Sequence, residues 1–151
     1  MISHEHFMQE ALLEARKAVN IDEVPIGCVI VKNDMIIARA HNLKETLKDA
    51  TAHAEMLAIK KAEEYLGVWR LADCSLYVTL EPCPMCMGAI INSRVSNVYF
   101  GAYDQKAGCL GSVTNLNQKG MFNHTVLAQG GILKEDCAKI LSDYFKTKRN
   151  V

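Results

Sequence analysis

Apolar and charged positions in the first twenty residues recur with the helical period of about 3.6. Phe7, Ala11, Ala15, Ala18 and Val19 form one stripe, and Ser3 is placed to cap a helix running to about residue 20. Beyond Pro25 the pattern changes. Residues 26–32 and 35–40 are short, β-branched and apolar, and Asn33-Asp34 between them predicts a two-residue hairpin turn. Residues 41–50 read as a polar loop. A second helix is expected from a Thr51 cap to about residue 65, closed by Gly67. Strands are expected at 75–80, 97–101 and 125–129. A third helix opens at Pro82-Cys83-Pro84 and ends near Ser93. Residues 103–123 read as loop. A last helix spans 132–149, with Cys137, Ile140, Leu141, Tyr144 and Phe145 on its apolar side. After the hairpin, strands alternate with helices, which predicts a three-layer α/β/α sandwich around a five-stranded mixed sheet, its site at the strand ends.

The chain has 151 residues, which predicts a single domain over residues 1–151. Hydrophobic residues make up 50% and charged residues 23%, ordinary for a globular protein and unlike a disordered chain. Lys and Arg balance Asp and Glu, 17 against 17, so a nucleic-acid partner must be held by a local patch. The N-terminus has no basic segment followed by an apolar run, and no apolar stretch is long enough for a membrane span. The six cysteines are too few for a disulfide scaffold. The expectation is a cytoplasmic protein whose cysteines are thiols or metal ligands.

Two predicted helices begin with metal-ligand types: Thr51-Ala52-His53-Ala54-Glu55 and Pro82-Cys83-Pro84-Met85-Cys86. Cys83 and Cys86 share one side of a helix end, where unpaired N–H groups and the positive dipole end favour thiolates. One imidazole and two thiolates suit zinc, and three protein ligands leave the fourth position open, as in catalytic sites. Glu55 is placed to move protons between an activated water and a leaving group. Positions 53 and 55 do not share a helix face, so the pair works only if the first turn itself points into the pocket.

Other readings carry different expectations. A Cys-x-x-Cys between strand and helix also marks redox dithiols, but those face a proline from later in the chain, and none follows Pro84. A non-catalytic zinc module that only binds RNA would need a closed site, and Glu55 would be idle in it. Cys28, Cys74, Cys109 and Cys137 read as buried structural thiols, and His4, His6 and His41 as solvated or satisfied.

His-x-Glu followed by Pro-Cys-x-x-Cys is the zinc-deaminase signature. The chain resembles the bacterial tRNA-specific adenosine deaminases along nearly its whole length. The matching segments are Glu23-Val24-Pro25-Ile26-Gly27, Ala40-His41-Asn42, Thr51 to Glu55, Leu76 to Cys83, Asp104-x-Lys106, Gly108 to Ser112, Asn123-His124 and the Tyr144-Phe145 helix. Two positions depart from that pattern. Ala50 stands where these enzymes have Pro. Met87 follows the second Cys where they have Ala, and a bulky residue there is also seen in guanine deaminases.

The resemblance implies a cytidine deaminase-like fold and hydrolytic deamination of an adenosine to inosine at the wobble position of a tRNA anticodon. It implies that His53, Cys83 and Cys86 hold one Zn²⁺ per chain and that Glu55 shuttles protons. Backbone N–H groups near Ala54 and Cys83 would help position water. Asn42 would hydrogen-bond the splayed-out base, with Val24 and Ile26 packing around it. Arg70, Asp104, Lys106, Asn123, Phe145, Lys146, Lys148 and Arg149 would contact the anticodon loop of a homodimeric enzyme. A deaminase of free guanine or another nucleobase is the alternative chemistry.

Overall fold

The computed structural model describes residues 2–149. Helix α1 (His4–Asn20) starts where the Ser3 hydroxyl accepts the His6 N–H. It is followed by strands β1 (Gly27–Lys32) and β2 (Met35–His41), joined at Asn33 and Asp34. Both turn residues have positive φ, 52° and 61°, the conformation a tight hairpin turn with the native twist requires. The chain continues through α2 (Lys44–Leu47), α3 (Ala54–Leu66), β3 (Ser75–Leu80), α4 (Pro84–Asn92), β4 (Asn97–Ala102), β5 (Leu127–Gln129) and α5 (Lys134–Arg149).

The five strands form one sheet in the order β2-β1-β3-β4-β5. β1 runs antiparallel to β2 and β3, whereas β3, β4 and β5 are parallel, so the sheet is mixed as the alternation of elements predicts. Successive side chains point to opposite faces of a strand. Cys28, Ile30, Leu76, Val78, Val98 and Phe100 therefore join the core beneath α3 and α4, while Val29, Val31 and Tyr77 join the core beneath α1 and α5. Gly27 lets α1 lie directly on the sheet: a Cβ there would fall 1.9 Å from the Ala11 carbonyl oxygen. No helix among the described residues is long and apolar enough to cross a membrane.

Several boundaries differ from the sequence expectation, each for a local reason. Thr51 does not cap the second long helix: it lies two residues before the cap, in a turn where its N–H and hydroxyl both donate to Asp49 Oδ1, at 2.8 and 2.7 Å. The cap residue is His53, in extended conformation. The expected polar loop 41–50 contains the short helix α2, held by Glu23, whose buried carboxylate accepts the N–H groups of Glu45 and Thr46. β5 begins at Leu127, not Thr125, because the Asn117 side chain captures both the N–H and the carbonyl of Val126 at 2.9 Å. α5 begins at Lys134, after Leu133 takes a positive φ of 51°. Val19, assigned to the first helix stripe, is exposed, and Met8 and Leu12 fill the core instead. Only Cys137 of α5 is fully buried. Phe145, assigned to its apolar face, stands exposed beside the α1–β1 link.

Candidate active site

β3 ends at Leu80 and the chain turns at once into α4, so Cys83 becomes the cap residue and Pro84 the first helical residue. Proline suits that position, since its missing N–H would have no partner in the helix. Cys83 is extended, with φ −79° and ψ 174°, and Cys86 lies within the first turn. At the start of α3, His53 is likewise extended, with φ −75° and ψ 154°. The helical angular spacing therefore does not apply between His53 and Glu55, and both side chains reach past the helix end.

The two helix ends converge. His53 Nδ1 lies 3.6 Å from Cys83 Sγ and 3.5 Å from Cys86 Sγ. The three donor atoms all fall within 4.8 Å of one another. A tetrahedral zinc with bonds of about 2.3 Å to sulfur and about 2.0–2.1 Å to nitrogen has S···N edges of about 3.6 Å, so the donors already have the required spacing. Cys86 is fully buried, while His53 and Cys83 are half-buried. Zinc is therefore the metal this donor set fits, with three protein ligands.

The electrostatics follow from the two converging helix ends and from burial. A hydrogen bond from Cys86, helped by His53, pulls the Cys83 thiol down to about 4 against the effect of burial. Cys86 moves upward, because its proton serves that bond and because it is buried. His53 is shifted upward, first by its hydrogen bond with Cys83. Glu55 is only 4% exposed, and desolvation raises it to about 7. A carboxyl group with that value can both accept and release a proton near neutrality.

The structure brings some of the other sequence-predicted residues together. Val24, Asp104, Lys106 and Phe145 line one groove of about 440 Å³, with Leu80 and Leu141. Val24 and Phe145 also border a second groove of about 670 Å³, with Glu45 and Thr46. Ile26 is half-buried against the core, and Ala54 is fully buried at the first position of α3. Asn42 is 6% exposed; its amide donates to the Val24 carbonyl at 3.4 Å and accepts the Lys44 N–H at 3.1 Å. Lys146 and Arg149 are exposed on α5. Lys148 is instead tied to Asp22 at 2.7 Å. Asn123 is exposed in its loop. Arg70, stacked over Trp69, is exposed in the segment that follows α3. Met87 is fully buried in the core beneath α3 and α4, and Ala50 is exposed.

Sequence reasoning did not single out three buried carboxylates. Glu14 binds Lys17, Arg39 and His41, Glu23 holds α2, and Glu81 holds the 104–112 loop. Burial raises the Glu81 carboxyl, but hydrogen bonds from Ser112 and from the N–H groups of Asp104 and Leu110 outweigh it, and its net shift is downward. The available signal was an acid set directly beside apolar strand ends, as in Leu80-Glu81-Pro82.

Residues 1–102 match the family model described as the cytidine and deoxycytidylate deaminase zinc-binding region. A Bacillus subtilis (strain 168) protein named tRNA-specific adenosine deaminase is 53% identical over 149 residues, covering 99% of this chain and 92% of its own. A solved structure from work on A-to-I editing by tRNA:A34 deaminases at the wobble position superposes with TM-score 0.85 at 45% identity, covering 90% of this chain and 99% of that one. A guanine deaminase structure from Bacillus subtilis superposes with TM-score 0.67 at 35% identity, covering 99% and 96%.

Proposed function

The chain belongs to the cytidine and deoxycytidylate deaminase zinc-binding family, and on that premise we propose that it hydrolyses adenosine to inosine at the wobble position of a tRNA anticodon. It is a zinc-dependent deaminase. The observation that carries the chemistry is the meeting of His53, Cys83 and Cys86 at two helix ends beside the buried Glu55. The tRNA substrate is supported by near-complete coverage of both chains in the Bacillus subtilis match, and by closer similarity to the tRNA:A34 deaminase structure than to the guanine deaminase.

His53, Cys83 and Cys86 would hold the metal, which supplies a water acidic enough to act as a nucleophile near neutral pH. Glu55 accepts a proton from that water and delivers it to N1 of the purine as C6 is attacked; it then takes the proton of the new C6 hydroxyl and passes it to the amine, so that the C6–N bond breaks, ammonia leaves and C6 becomes a carbonyl. The Ala54 N–H, at the open end of α3, helps fix the water. The base is splayed out of its stack, which a single-stranded anticodon loop allows at low cost. Asn42 reads its edge. The long 3.4 Å bond to Val24 is the one a base would replace. Val24 and Ile26 pack against the ring, and Phe145, Asp104 and Lys106 form the walls along which the loop lies. Lys146, Arg149 and Asn123 add contacts farther out.

The reading includes a homodimer, with Arg70 among its RNA contacts. Arg70 is exposed in the segment after α3, where the chain folds back and Trp69 lies beside Met56, Ile59 and Lys60. A cytoplasmic location is part of this reading.

The test is incubation of the purified protein with an anticodon stem-loop carrying the wobble adenosine and, separately, with free guanine. Inosine without xanthine supports the reading; xanthine without inosine refutes it.

A further inference from the structure

Glu81 is 2% exposed, two residues before Cys83, yet it forms no ion pair among the described residues. Its partners all come from the returning loop. Oε1 accepts the Asp104 N–H at 3.0 Å and the Ser112 hydroxyl. Oε2 accepts the N–H groups of Leu110 at 2.9 Å and Ser112 at 3.1 Å. The main chain repeats the linkage: Glu81 N–H donates to the Ala102 carbonyl and Cys109 N–H to the Pro82 carbonyl, both at 2.9 Å. Gly108 makes the closure possible, since a Cβ there would lie 2.3 Å from the Glu81 carboxyl carbon. The loop is thus wrapped around one carboxylate.

The segments that this carboxylate joins also line one groove. Leu80, the residue before Glu81, lines it together with Tyr103, Asp104, Gln105 and Lys106. The bond from the Asp104 N–H to Glu81 fixes the separation of the two segments. Asp104 is itself oriented from within the loop, where its Oδ1 accepts the N–H groups of Lys106 and Ala107 at 3.0 and 3.2 Å.

We propose that Glu81 is a positioning residue for substrate: it clamps the 104–112 loop to the strand end that carries Cys83, and so holds Asp104 and Lys106 at a fixed distance from the reacting centre. The proposal rests on the tRNA reading given above. Glu81 does not touch the reacting atoms; it acts through the loop. In Glu81→Gln the side-chain volume is kept, but an NH₂ group replaces one acceptor oxygen and faces donors. About two of the four bonds disappear, and the loop gains freedom while the metal ligands stay in place.

Amide exchange, zinc content, stem-loop affinity and turnover at saturating RNA are measured on the parent, Glu81→Gln and the milder Ser112→Ala, which keeps the carboxylate and removes one donor. In Glu81→Gln, exchange should rise within 104–112, zinc should stay at one per chain, and stem-loop Kd should weaken about tenfold. The turnover number should stay within about threefold of the parent. Ser112→Ala should move the same quantities in the same direction by less, and it carries the test if Glu81→Gln fails to fold. Parent-like Kd in both variants would overturn the proposal, as would zinc loss with falling turnover at unchanged Kd. A parent that binds the stem-loop but makes no inosine would sink the deaminase reading, while the clamp would still stand if exchange and Kd move as stated.

Discussion

His53 Nδ1 sits 3.6 Å from Cys83 Sγ although 30 positions separate the two residues. Both are cap residues, the last extended positions before a helix begins. The sheet places the two helix starts together, and the caps turn their side chains toward one point. The C-terminal end of β3 fixes Cys83, and the Leu43–Ala52 backbone bond at 3.0 Å fixes the approach to His53.

The metal site should therefore respond to each ligand separately. Cys86→Ala, Cys83→Ala and His53→Ala should each lower zinc from one per chain to well below stoichiometry on metal analysis of dialysed protein. Each removal leaves two donors where catalytic zinc has three. Full zinc in dialysed Cys86→Ala would show that the metal is held elsewhere.

RNA affinity and base chemistry should separate. Lys148 is paired with Asp22, so Lys146 and Arg149 are the tail cations proposed to contact RNA. Replacing both with Ala should reduce the salt slope of stem-loop binding by up to about 0.7 for each phosphate no longer neutralised, with turnover recovered at saturating RNA. Asn42→Ala should instead spare affinity and lower turnover, because phosphate contacts position and base contacts specify. The same salt slope in the parent and the tail variant would make the tail an ordinary solvated helix end.

The zinc donors, Glu55 and the mixed sheet were legible because each leaves a local pattern: the C-x-x-C spacing, a His-x-Glu before a helix, and strands alternating with helices. The buried carboxylates were not. Glu81 and Glu23 act on backbone N–H groups 20 or more positions away, 23 and 29 for Asp104 and Leu110 and 22 and 23 for Glu45 and Thr46. No periodicity records such a partner. The Thr51 cap failed on a partner close by, since Asp49, only two residues away, holds Thr51 in a turn before the helix. Phe145 was assigned to a buried face because helical spacing gives direction but not the extent of the sheet beneath it.

Stability in acid should depend on Glu14. Burial raises its carboxyl, but hydrogen bonds from Lys17, His41 and Arg39 prevail, so its value in the folded protein is below the ordinary one. Its contribution is complete above the unfolded value of about 4.3 and disappears as pH falls through the lower folded value. Glu14→Gln should cost about 1.5–3 kcal/mol at pH 7 in urea unfolding. The gap between parent and variant should close as the pH is taken below that unfolded value. A gap that stays constant into strong acid would show that Glu14 contributes packing and not charge.

The most direct test of the account is inosine formation by Glu55→Ala, measured beside its zinc content on the anticodon stem-loop. Glu55 is buried next to the donor trio without belonging to it, so the variant should keep one zinc per chain and bind RNA like the parent. Its rate at saturating RNA should fall by at least about 10²–10⁴-fold, since one carboxyl serves several proton transfers. A loss of less than about tenfold with zinc retained would contradict the account and assign the proton transfers to another group.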